Sequence, residues 1–179
     1  NNALGIGNAT TSLNGTGTVL ELAEGITINR ALTISNTGDN KTIRLAPGAA
    51  SGGYSGTIQI DETGASNFDL VAESGQALTV SGKISGTAAA GIDKLGSGTV
   101  ILTATDNTYT SPTRIKGGVL VVNTLSDATA GPGDISSPSS IGSTADFSTN
   151  LVISGGTLTL ADGKTVLFSN TSNTSILSG

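Results

Sequence analysis

The residues able to do chemistry in this 179-residue chain are few: thirteen Asp and Glu, eight Lys and Arg and two Tyr, with no His, Cys, Met or Trp. Without His or Cys no Ser-His-Asp triad, Cys-His dyad, zinc finger or disulfide framework can be built. Carboxylates come nearest to a constellation. Asp61 and Glu62, with Asp69 nearby, have the residue types of a glycosidase pair or a calcium site. Adjacent residues on a strand point to opposite faces, so Asp61 and Glu62 converge only in a loop and read as a solvated turn. The stretch Ala161-Asp162-Gly163-Lys164-Thr165 ends like a phosphate-binding loop, yet position 158 is Leu rather than Gly, and a strand is expected to follow. No Lys has a Ser three residues before it, which removes the simplest Ser-Lys nucleophile. Gly-Gly-x-Gly-x-Asp calcium repeats are absent. The reading is of a protein with no catalytic set, no cofactor, no metal site and no small-molecule substrate.

Charge narrows the partners. A net charge of -5, with basic residues scattered singly, argues against nucleic-acid binding, which needs clustered Lys and Arg. No apolar run approaches the roughly 18 residues of a membrane span. The start Asn1-Asn2-Ala3-Leu4 has neither an initiator Met nor a signal-peptide pattern, so the chain reads as a piece of a longer protein. Absence of Cys fits an extracellular bacterial protein. Asn-x-Ser/Thr triplets at Asn8, Asn14, Asn40, Asn170 and Asn173 are expected by chance in a chain so rich in these residues.

The elements that must carry these residues are strands. Short alternating or β-branched runs, separated by Gly, Asn, Asp and Ser, recur from Thr18 to Phe168, and no segment reads as a helix. In Thr18-Val19-Leu20-Glu21-Leu22 the two Leu share one face, and in Thr157-Leu158-Thr159-Leu160 the Leu face one side and the Thr the other. Both an antiparallel sandwich and a β-solenoid accept that alternation. Aromatic content of 3% favours the solenoid, whose narrow lumen fills with aliphatic ladders, and the 26 Gly suit its corners. A long internal repeat is also expected: residues 2–35 match 140–173 through Thr18-Val19-Leu20-Glu21-Leu22-Ala23-Glu24-Gly25 and Thr157-Leu158-Thr159-Leu160-Ala161-Asp162-Gly163. Residues 126–149, rich in Gly, Pro and Ser and holding Asp127, Asp134 and Asp146, read as a protruding loop.

One segment, 91–122, carries a family pattern. Lys94-Leu95-Gly96-Ser97-Gly98-Thr99 leads into the apolar run ending at Leu102, then Asn107-Thr108-Tyr109, a second strand, and Gly117-Gly118-Val119-Leu120. This order resembles the autotransporter-associated β-strand repeat, the passenger-associated transport repeat of bacterial autotransporters. Pro112, where Gly is common, and Val119, where Thr is usual, depart from it; a corner tolerates Pro because no ladder hydrogen bond need be lost there. The resemblance implies a right-handed parallel β-helix exported across the outer membrane and displayed or released.

The expectation is one all-β segment, a right-handed parallel β-helix (β-solenoid) of about seven to eight coils spanning 1–179. Its motif residues Lys94, Gly96, Gly98, Thr99, Leu102, Asn107, Tyr109, Gly117, Gly118 and Leu120 are assigned structural roles. Tyr109 is expected to cover a coil corner with its hydroxyl wet, and Asn107 to cap a turn. The function expected is a stalk in a surface-displayed or secreted passenger. The alternatives are an adhesin segment binding a cell-surface receptor through the 126–149 loop and Thr-rich faces, or a repeat unit of a polymeric fibre. The first and last fifteen residues carry no charge, so copies, or neighbouring modules of the same chain, are expected to stack end to end.

Overall fold

A computed structural model describes residues 10–35, 40–61, 67–86, 90–125, 138–143 and 151–161. The first coil holds β1 (Thr11–Asn14), β2 (Val19–Leu22) and β3 (Thr27–Ile28), and the second β4 (Leu32–Ser35), β5 (Lys41–Leu45) and β6 (Ser51–Tyr54). The third holds β7 (Ile58–Asp61), β8 (Phe68–Val71) and β9 (Ala77–Val80), and the fourth β10 (Ile84–Ser85), β11 (Ile92–Leu95) and β12 (Thr99–Leu102). The fifth contributes β13 (Thr113–Ile115) and β14 (Gly118–Val122), and the sixth β15 (Leu151–Ile153) and β16 (Gly156–Leu160). There is no helix among the described residues.

Every strand pairs in parallel with its counterpart one coil away, which makes a parallel β-solenoid with three sheets. The first sheet runs β1-β4-β7-β10, the second β2-β5-β8-β11-β13-β15 and the third β3-β6-β9-β12-β14-β16. Thr33 pairs with Gln59 and Gln59 with Ser85, a turn of 26 residues. The turn from the fourth to the fifth coil is tighter, Ile101 pairing with Val121 and the Asn123 side chain reaching back 20 residues to the Thr103 carbonyl, whereas the next, from Val121 to Thr159, is the longest. Through residue 161, six coils are traced among the described residues; the expected total of seven to eight extends into residues outside them.

The alternation read from the sequence holds the coils together. Inward positions stack as ladders: Leu32, Ile58 and Ile84 in the first sheet; Ile43, Leu70 and Ile115 in the second; Val80, Leu102 and Val122 in the third. All of these are buried. Each such aliphatic side chain contributes about 1.5–3 kcal/mol on burial. Val100 and Leu102 face the lumen while Ile101, half-buried, faces outward. The Pro112 carbonyl accepts from the Ile92 amide at 2.9 Å, so the corner still joins the coil below.

The first sheet continues irregularly beyond β10. The Thr108 amide donates to Ile84, the Thr110 amide to Gly86, and the Ser143 amide in turn to Tyr109. Residues 138–143, inside the stretch expected to protrude, therefore lie against the coil below. Residues 126–137 and 144–149 of that stretch, and residues 2–9, 144–150 and 162–173 of the 2–35/140–173 repeat, are outside the described residues.

Candidate functional site: the repeat corner

The motif residues converge on the corner between the second and third sheets and on the wall opposite. Lys94 sits on β11 between Leu70 and Ile115, positions that face the lumen, so its stem is buried among aliphatic ladders. Its ammonium reaches the corner and donates to the carbonyls of Leu95 at 2.9 Å and Gly96 at 2.6 Å. Burial lowers the Lys94 pKa, and the Glu73 carboxylate opposes that effect. A buried ammonium needs acceptors, and the corner's carbonyls supply them.

Glycines let the backbone turn that closely. Gly96 has a φ of 75°, and a Cβ there would lie 2.2 Å from the Ala72 carbonyl oxygen of the coil below. At Gly98 it would lie 2.1 Å from the Glu73 oxygen, and at Gly118 (φ 60°) 2.2 Å from the Gly98 oxygen and 2.6 Å from the Lys94 Nζ. Gly117 is less constrained, with its nearest neighbour 3.2 Å away. Thr99 then opens β12, its amide bonded to the Gln76 carbonyl at 2.9 Å. Leu102 and Leu120 are buried in the lumen, Leu102 between Val80 and Val122 and Leu120 between Val100 and Leu158.

Two expectations about the opposite wall are corrected. Asn107 does not cap a turn: its Oδ1 accepts from the Ile84 amide at 2.8 Å and its Nδ2 donates to the Ser140 carbonyl at 2.8 Å. It is fully buried and ties three coils together. Nor is the Tyr109 hydroxyl wet. It is buried and shares a 2.7 Å hydrogen bond with the Thr113 hydroxyl, and burial raises its pKa. A chain with this little aromatic material places its rings where they fill most volume, inside the lumen. Tyr54, unnoticed in the sequence, behaves alike: its hydroxyl donates to the Arg30 carbonyl at 2.7 Å and burial pushes its pKa up to about 12.

Sequence reasoning also missed Gln76, which serves the same corner one coil earlier. Its Nε2 donates to the carbonyls of Ala46 and Ala49, both at 2.9 Å, while its Oε1 accepts from the Glu73 amide at 2.9 Å. A lone Gln after a Gly carries no motif, so only the fold reveals it. Glu24, at the first such corner, accepts from the amides of Ala50 and Ser51 and from the Ser51 hydroxyl, and these bonds hold its pKa below the usual value.

The carboxylates weighed for chemistry are dispersed. Asp61 ends β7 in the first sheet and accepts from the Gln59 amide group at 2.8 Å, whereas Asp69 lies on β8 in the second sheet. Glu62, Asp127, Asp134, Asp146, Asp162 and Lys164 lie outside the described residues. Among the described residues no three acidic side chains group as a metal site.

This corner, with its ammonium, its glycines and its wall of Asn107 and Tyr109, coincides with a known module. Residues 92–122 match the family model of the passenger-associated-transport-repeat, so the chain carries an autotransporter passenger repeat. A relative, the adhesin BmaC autotransporter of Brucella suis biovar 1 (strain 1330), is 36% identical over 88 residues, 49% of this chain and 2% of that protein. No solved structure matches the chain.

Proposed function

We propose that this chain is a structural stalk segment of a bacterial autotransporter passenger, exported through the outer membrane and either surface-displayed or released. The observation that carries the reading is how the polar side chains of the repeat are used. Lys94, Asn107 and the Tyr109 hydroxyl all bond protein groups within or between coils. A segment whose buried polar groups join coil to coil propagates as a rod, at about 4.8 Å per coil, and needs no catalytic set. The passenger repeat and the likeness to a surface adhesin support the same placement outside the cell.

A second reading, adhesion, has its support in that relative and in outward Thr positions such as Thr157 and Thr159, which are exposed. One experiment separates the two. Thr157 and Thr159 are replaced by Ala in the parent protein, and surface exposure and cell binding are both measured. A stalk keeps both. Loss of cell binding with display intact would replace the stalk by the adhesin.

A further inference from the structure

The outward row of the second sheet is charged in an unusual order. In register from coil to coil run Thr42, Asp69, Asp93 and Arg114, so two carboxylates stack directly and the first cation follows. Both aspartates are more than nine-tenths buried. Asp93 has one satisfied oxygen: Oδ2 accepts from Lys116 Nζ at 2.5 Å and from Asn67 Nδ2 at 3.0 Å. Its Oδ1 is buried without a hydrogen-bond donor, because Arg114 Nη1 stands 3.7 Å away and donates to Asn67 Oδ1 at 2.7 Å. A buried acceptor left bare is costly. The side chain stacked against it, that of Asp69, has no hydrogen bond among those described.

We infer that Asp69 and Asp93 bind one proton between them, forming an acid–carboxylate pair that tightens the joint between the third and fourth coils in mildly acidic surroundings. Neighbouring parallel strands stand about 4.8 Å apart, within reach of a hydrogen bond from a protonated Asp69 carboxyl to Asp93 Oδ1. A single proton would satisfy the bare oxygen and remove the repulsion between like charges. A metal ion fits less well, since Lys116 and Arg114 already bring two positive charges to Asp93. The other groups facing Asp69 are the Thr42 hydroxyl on β5, with Arg44 two residues along and paired to Glu21, and Asn67. Lys41 and Lys94 are fully buried in positions facing the lumen rather than this row.

Burial, with the Asp93 charge, pushes the Asp69 pKa up to about 6, against the pull of Lys116. The folded chain therefore holds a proton that the unfolded chain releases, so stability rises as pH falls through about 6 and levels off below the ordinary aspartate value near 3.8. Glu24 acts in the opposite sense, its lowered pKa withdrawing stability as pH falls.

The test is carboxyl-carbon NMR of the 179-residue chain titrated across mildly acidic pH, together with melting of Asp69→Asn. The expected result is an Asp69 midpoint near 6. In Asp69→Asn, whose amide donates to Asp93 Oδ1 at every pH, the share of the melting profile that rises on acidification is gone. An Asp69 midpoint in the ordinary range, or an unchanged melting profile in the variant, overturns the pair. Calcium raising the wild-type melting temperature at neutral pH, and not that of Asp69→Asn, would make it a cation site and also overturn the proposal.

Discussion

The corner after β8 and the corner after β11 do the same job with different chemistry. Between β8 and β9 the chain spends residues 72–76, and the Gln76 side chain binds the Glu73 amide of its own turn and the Ala46 and Ala49 carbonyls of the turn one coil below. Between β11 and β12 it spends only 96–98, and between β13 and β14 only 116–117. There the backbone of one coil presses on the next, and glycines with one buried ammonium replace the side-chain bridge. At Gly48 and Gly75 a Cβ would meet nothing within 4 Å, whereas at Gly96, Gly98 and Gly118 it would meet a carbonyl oxygen. A short corner therefore restricts residue types by contact with the coil below, whereas the long corners at Gly48 (φ 83°) and Gly75 (φ 79°) restrict them by backbone angle alone.

That contrast can be broken most sharply at Gly98. Gly98→Ala drives a methyl into the Glu73 carbonyl and is expected to cost about 3 kcal/mol or more in urea unfolding, since backbone on both sides must move. Gly48→Ala, with open space but a φ of 83°, should cost only about 1–2 kcal/mol. Equal losses at the two sites would mean that the corners are equally crowded.

Next in size is the wall behind the tight corner. Asn107→Ala leaves the Ile84 amide and the Ser140 carbonyl buried without partners, at about 2–4 kcal/mol by the same measurement. Lys94→Met keeps the stem but strips the Gly96 carbonyl of its donor and leaves the Leu95 carbonyl with the Ala72 amide at 3.3 Å, at about 1–3 kcal/mol near neutral pH. Lys94 adds a pH signature. Its folded pKa is lowered, so the unfolded chain binds more protons and stability rises as the pH climbs toward the ordinary lysine value. The rise should be read below about pH 10, where tyrosines titrate in the unfolded chain, and Lys94→Met should lack it. Gln76→Leu, at the wide corner, should keep that rise, because Lys94 is untouched.

The smallest effect is at Tyr109. Tyr109→Phe keeps the ring in the lumen and removes one hydrogen bond to Thr113, about 1 kcal/mol. A change near zero would restore the wet hydroxyl expected from the sequence.

Crowding also explains what could be read in advance. Lys94, Gly96, Gly98 and Gly118 stood out in the sequence because the tight corner admits few alternatives. The strand ladders were legible because residues such as Leu158 and Leu160 alternate with Thr157 and Thr159 with a period of two. Asn107 and Tyr109 were found as motif residues but misjudged, because their partners Ile84 and Ser140, and the lumen itself, exist only once coils stack. Gln76, Tyr54 and the Asp69–Asp93 stack were invisible for the same reason: stacked coils bring together residues 24–30 positions apart, with no local pattern to mark them.

The central claim is the parallel stacking itself, and spin labels test it directly. Thr27 and Thr159 are exposed and sit on the two outer strands of the third sheet, in one register row through Gly53, Thr79, Ile101 and Val121. Five inter-strand steps separate them, about 24 Å at about 4.8 Å per step. A pulsed EPR measurement on the doubly labelled chain should give a single narrow distribution centred near that distance, allowing for the label arms. A broad distribution with no maximum, or a centre beyond about twice that value, would contradict the stacked solenoid.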